Sequence, residues 1–119
     1  MKLLGTTALA FLALGTFAYA AEDPFADLYA NTLVYTSPKK VTTKVLVQKD
    51  GSWTSTSSDG KNAHGAWATL GDFVCVYDST MPKTKPDCSK IVAHKVGDKW
   101  TEPGEKKGTV DQVTLVAGR

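Results

Sequence analysis

The feature that most limits what this chain can fold into is the cadence of its turns. From Asn31 onward, short β-branched and aromatic runs alternate with Gly, Asp, Ser and Pro punctuation, the pattern of strands joined by hairpins. "TLVYT" (Thr32–Thr36) stops at Ser37-Pro38. "VTTKVLVQ" (41–48) puts Val41, Thr43, Val45 and Val47 on one face and Thr42, Lys44 and Gln48 on the other. Lys49-Asp50-Gly51 is a hairpin signal, because glycine takes the positive φ of a tight turn. "SWTSTS" (Ser52–Ser57) runs into Ser58-Asp59-Gly60, and "HGAWATL" (64–70) and "FVCVYD" (Phe73–Asp78) flank Gly71-Asp72. After the longer "STMPKTKPD" come "SKIVAHKV" (89–96), Gly97-Asp98, a short "KWT", the loop "EPGEKKG" and "TVDQVTLVA" (109–117). Helical spacing occurs only in "EDPFADLYAN". There Asp23 suits an N-cap, Pro24 the first helical position, and Phe25, Leu28 and Tyr29 one apolar face of one or two turns.

About eight strands with short connections imply sequential antiparallel neighbours. An open meander of that size leaves two edges exposed, and the last strand, with Val113 and Leu115, is placed to pair with the first. The expected fold is therefore all-β: a small antiparallel meander of about eight strands closed into a lipocalin-like barrel, with a two-sheet β-sandwich as the alternative. Phe73, Cys75 and Tyr77 share one face of their strand and Val74 and Val76 the other. With both faces apolar, that strand is expected to be central and doubly covered. Gly65, two residues before Trp67, points to a close backbone approach or a bend.

Residues 1–20, "MKLLGTTALAFLALGTFAYA", have the form of a secretory signal: Lys2, an apolar run, then Ala18-Tyr19-Ala20 as a small-x-small cleavage site. No cysteine follows to carry a lipid anchor, and residues 21–119 remain as a single β-barrel domain. Export sets an oxidising environment, in which Cys75 and Cys88 are expected to pair. Closing the twelve-residue loop between them is worth ~3 kcal/mol in the chain-entropy model. That is useful to a domain of this size, which buries only about 60–65% of its unfolded surface. Of fourteen basic residues one is Lys2, leaving thirteen against twelve acidic. So even a balance argues against nucleic acid or an anionic membrane as partner, and no stable membrane insertion is expected once the leader is removed.

The arrangement resembles a loose group of small secreted proteobacterial domains of unknown function. The resemblance rests on the Asp50-Gly51 hairpin, Gly65-Ala66-Trp67, Cys75 and Cys88, followed by Gly97-Asp98-Lys99-Trp100. It spans about residues 31–101 and implies a lipocalin-like β-barrel and an envelope location, the bacterial periplasm. It carries over no activity. The Gly-x-Trp that true lipocalins have in their first strand is absent from "NTLVYT".

Catalytic chemistry finds little footing. The histidines are His64 and His94, and no Gly-x-Ser-x-Gly or His-Glu-x-x-His occurs. Paired cysteines are not nucleophiles, and Asp50, Asp59, Asp72 and Asp98 sit in turns where aspartates cap amides. "DGKNAHG" lacks calcium-loop spacing. No enzyme activity, catalytic residue, metal or cofactor is expected. The expected function is a secreted binding protein for a small apolar or aromatic molecule, with Tyr35, Trp53, Trp67, Tyr77 and Trp100 as candidate ligand residues. The Ser/Thr face of "WTSTSS" is the stretch that supplies the small inward residues a cavity requires. One alternative is a protein-binding or inhibitory module acting on an envelope or extracellular protein. It would use the proline-rich, disulfide-braced loop 79–87 with Met81, Lys83 and Lys85. A purely structural envelope protein is the other.

Overall fold

The computed structural model describes residues 23–119 except Pro82 and Thr84; the leader, residues 1–20, lies outside the described residues. Eight strands form one antiparallel sheet: β1 Thr32–Thr36, β2 Thr42–Val47, β3 Ser52–Ser57, β4 Asn62–Leu70, β5 Phe73–Asp78, β6 Asp87–Lys90, β7 Lys99–Pro103 and β8 Val110–Val116. Their order is β6-β5-β4-β3-β2-β1-β8-β7. The all-β meander is present, and the last long strand does pair with the first. The sheet is strongly curled into a half-barrel, with β6 and β7 as its two hydrogen-bonding edges. Lys90 and Asp87 on one edge, and Lys99 and Pro103 on the other, are residues that discourage further strand pairing.

Cross-strand register explains where the core sits. One inward row reads Leu115, Leu33, Val45, Ser55, Ala63 across β8, β1, β2, β3 and β4. The next reads Trp100, Val113, Tyr35, Thr43, Ser57 from β7 to β3. Both rows pass from large apolar to small polar side chains, so the core gathers on β8 and β1. There Val113 and Leu115 are fully buried against Leu33, with Leu28, Tyr35, Val45, Val47 and Trp100 packed around them.

The segment before β1 plugs one end of the half-barrel. Instead of a helix of one or two turns, residues Ala26–Leu28 make a single 3-10 turn. Its N-cap is Phe25 rather than Asp23; Asp23 braces the turn from before it, its carboxylate accepting from the Phe25 amide at 2.9 Å and its carbonyl from the Ala26 amide at 3.0 Å. Phe25 is buried edge-on to Trp67, ring centroids 5.2 Å apart, and Tyr29 stacks on the same indole at 6.3 Å.

Two expectations are corrected. β5 is the second strand from an edge, not a doubly covered central one. Only Cys75 is buried on it, while Phe73, Val76 and Tyr77 are exposed. A single curled layer covers one face at most, and the available apolar mass is collected at β1 and β8. The strand read over 89–96 ends at Lys90. Its partner β5 begins at Phe73, opposite Lys90, so beyond the Ile91 amide bonded to the Asp72 carbonyl (2.8 Å) there is no strand left to pair with. The chain crosses instead to β8, where the Gly97 amide donates to the Leu115 carbonyl (2.8 Å) and His94 stacks on Trp100.

Cys75 and Cys88 face each other in register on β5 and β6 and form a disulfide. The close approach expected at Gly65 is present, and the side chain it accommodates is Trp53 rather than Trp67. That indole lies across Gly65 and donates to the Tyr77 carbonyl at 3.1 Å, two strands away. A Cβ at Gly65 would collide with the same carbonyl and stand 2.9 Å from the indole ring.

Leu115→Ala should lower unfolding free energy by about 2–5 kcal/mol in urea titrations, whereas Leu70→Ala, at a side chain 75% exposed, should change it by no more than about 0.5 kcal/mol. Removing both cysteines should cost about 3 kcal/mol by the same measurement, and thiol titration of the unreduced, denatured protein should find no free sulfhydryl.

Candidate binding cleft

Opposite the 3-10 plug, the half-barrel is open, and a cleft of about 750 Å³ enters it. Its floor is laid by the small-residue ends of the inward rows: Tyr35, Thr43, Ser55, Ser57 and Ala63. β3 explains this locally. Alternation sends Trp53, Ser55 and Ser57 inward, and the two serines are too short to fill the space the curl encloses. The Ser/Thr stretch singled out in the sequence is thus the cleft's floor. Asp78 at the end of β5 and Asp111 at the start of β8 form walls, while Lys39, Lys61 and Lys106 stand exposed on the surrounding turns and loops.

The floor is held by hydrogen bonds. Thr43 and Ser57 hydroxyls are 3.1 Å apart, and Ser57 also donates to the Thr42 carbonyl (3.3 Å). Behind the cleft, Glu102 on β7 holds Tyr35: one carboxylate oxygen accepts from the Tyr35 hydroxyl at 3.2 Å and the other from the Trp100 indole at 2.8 Å. Burial pushes the Tyr35 phenol well above its usual range, and the charges of Glu102, Asp111 and Asp87 add to the effect. Those carboxylates come from β7, β8 and β6, so the curl brings both edge strands to bear on one hydroxyl. Tyr29, at the other end, is raised to about 12 by desolvation and by its bond to Asp23.

Of the five aromatic candidates, only Tyr35 lines this cleft. Trp53 spans Gly65, Trp67 donates to the Gln48 carbonyl (3.0 Å) beneath the 3-10 plug, and Trp100 sits between His94 and the core. Tyr77 points outward, 44% exposed. The loop candidates Met81, Lys83 and Lys85 are all exposed, and Met81 borders the cleft. The cleft residues the sequence did not single out are Thr43, Asp78 and Asp111, with Glu102 behind Tyr35. Strand alternation was the available signal, but polar inward positions look like solvent-facing ones until the register is known. Asp50 and Asp59 do serve their turns: Asp50 accepts from the Ser52 hydroxyl and amide and Asp59 from the Lys61 amide, which holds both carboxylates below the usual range. His64 lies exposed on β4 and His94 on Trp100, so the two histidines occupy separate places.

Comparison with protein-family models, with curated proteins and with solved structures finds no match to this chain.

Folding raises the Tyr35 and Tyr29 pKa values, so it favours neutral phenols. The stability this contributes is complete below about pH 10, where free tyrosine ionises, and is lost as pH climbs above that. Spectrophotometric titration should show Tyr35 as the last tyrosine to ionise. Tyr35→Phe should remove that component and, by leaving a Glu102 oxygen without its donor, lower stability at neutral pH by about 1–2 kcal/mol.

Proposed function

We propose that this chain is an extracytoplasmic, non-enzymatic binding protein that takes a small molecule into the open end of the half-barrel. One observation carries the proposal: a cleft of about 750 Å³ with a hydroxyl-lined floor, at the end of the sheet opposite the plug. A space of that size lies in the range of ligand sites. The Cys75–Cys88 disulfide supports an oxidising location, as does the leader with the Ala18-Tyr19-Ala20 site. No described helix is long and apolar enough to cross a membrane. The resemblance to small secreted proteobacterial domains points the same way, to the periplasm. The ligand is of mixed character: Tyr35, Pro38, Val41 and Ala63 offer apolar contact beside the hydroxyls and carboxylates. This departs from the purely apolar or aromatic ligand expected from the tryptophans, because those tryptophans are engaged in the scaffold.

A second reading, a protein-binding module, draws on a different surface. Leu70, Phe73 and Tyr77 share the outer face of the β4–β5 hairpin and are 75%, 47% and 44% exposed, and Met81 on the loop beyond is 56% exposed.

Amide-resolved NMR with a chemically diverse fragment library separates the two. Hits should shift the amides of Tyr35, Thr43, Ser55 and Ser57, and Ser55→Trp, which fills the floor, should abolish those shifts without unfolding the protein. Shifts confined to residues 70–77, insensitive to Ser55→Trp, would replace small-molecule binding with the protein-docking reading.

A further inference from the structure

We infer that the Cys75–Cys88 bond is an exchangeable disulfide whose open sulfur is Cys88: a thiolate adds there and Cys75 is released. The co-reactant is a thiol, and the inference stands whether or not the cleft takes a ligand.

The two sulfurs of this one bond lie in unlike surroundings. Cys75 is 6% exposed, whereas Cys88 is exposed, as is every residue of β6. The register gives the reason. On the outer face, Cys75 has Phe73 and Tyr77 two residues away along β5, Ala68 opposite it on β4 and Cys88 opposite it on β6. Cys88 has Cys75 on one side only, because β6 is the edge of the sheet and no strand follows it. Thiolate attack on a disulfide runs in line with the bond, from the side away from the leaving sulfur. For Cys88 that side is the open edge, and for Cys75 it is the side occupied by β4. Exchange depends on which sulfur can be approached, so the attack falls on Cys88.

The bond also lies where it can open without dismantling the protein. It joins two residues that the β5–β6 ladder already sets opposite each other. The core of Leu33, Val113 and Leu115 belongs to β1 and β8, and β1 is five places from β6 in the sheet order. A short edge strand remote from the core opens at less cost than the whole fold.

The step balances as a simple exchange. A new S–S bond forms between the incoming sulfur and Cys88 Sγ as the Cys75–Cys88 bond breaks. The electron pair leaves on Cys75, which takes a proton from water. One disulfide replaces another, and return attack by Cys75 expels the thiol.

The folded, oxidised protein incubated with reduced glutathione, quenched in acid and mapped by mass spectrometry tests the assignment. Glutathione should be found on Cys88 at least about tenfold more often than on Cys75. The exchange should run within about tenfold of its rate in the urea-unfolded protein, far faster than global unfolding would allow. Amide spectra of the adduct should change over residues 72–78 and 87–91 and keep the signals of Leu33, Val113 and Leu115. Single-cysteine variants give an independent check, with amide spectra reporting their fold: Cys88 in Cys75→Ser should react with an aromatic disulfide reagent at least about a hundredfold faster than Cys75 in Cys88→Ser. A folded carrier protein with one surface cysteine, used in place of glutathione, separates the sources of thiol. Its adduct on Cys88 would extend the assignment to protein thiols, and an adduct with glutathione alone would restrict it to small ones. Glutathione on Cys75 or equally on both sulfurs, exchange no faster than global unfolding, or loss of the Leu33, Val113 and Leu115 signals in the adduct would each overturn the inference and leave the disulfide a staple.

Discussion

The pairing of β1 with β8 holds the rest of the molecule together. Every other ladder joins neighbours in sequence, which local hairpins can form alone. This one spans nearly the whole described chain, from Thr32 opposite Val116 to Thr36 opposite Gln112. It puts Leu33 beside Leu115 and Tyr35 beside Val113, and so buries Leu115 and Val113 fully. Without it, β7–β8 would be a separate hairpin, and β1 an edge with half its core missing. The ends of the pair are tied further. Thr32 donates its hydroxyl to the Gly118 carbonyl (2.7 Å), and the Gly118 amide donates to the Asn31 side chain (2.9 Å). Arg119 donates to the carbonyls of Asn31, Leu28 and Val47 at 2.9, 2.7 and 2.5 Å. One guanidinium thereby binds the 3-10 plug to β2.

With so little apolar mass, the tryptophans do the work that a second layer does in larger β-proteins. Each satisfies its indole N–H on a group far away in sequence or on a fixed charge: Trp53 on Tyr77, Trp67 on Gln48, Trp100 on Glu102. A buried indole without such a partner would be costly, so each also pins the element it touches. The consequence for function is indirect. Because the large rings are gathered at the plug, at Gly65 and on β7, the remaining end of the half-barrel keeps only short side chains and stays open. The cleft is the complement of the core, left where Leu, Val and Trp give way to Thr, Ser and Ala along the same rows.

The cleft's chemistry follows from the same uneven filling. Asp78 on β5 and Asp111 on β8 line one cleft because the sheet curls; in a flat sheet of the same order they would be five strands apart. Lys39 and Lys61 stand exposed in the short turns after β1 and β3, and Lys106 in the loop before β8, whereas Asp78 and Asp111 lie on β5 and β8 themselves.

Local chemistry was enough to write much of this fold. Six of the eight strands follow from β-branched runs and the Asp-Gly, Gly-Asp and Ser-Pro turns between them, since hairpin geometry depends on a few adjacent dihedrals. The Cys75–Cys88 pair follows from there being two cysteines. What the sequence could not decide were matters of register and curl, which arise from contacts between distant residues. Phe73-Val74-Cys75-Val76-Tyr77 has a buried strand's composition yet lies near an edge, because β8 rather than β5 received the second layer of contacts. Residues 91–96 have a strand's composition yet leave the sheet, because the partner strand turns at Asp72. The Ser/Thr stretch of "SWTSTS" was legible as a source of small inward residues, but which of its two faces lines the cleft was settled only by the register of β3 on β2 and by the pairing of β1 with β8.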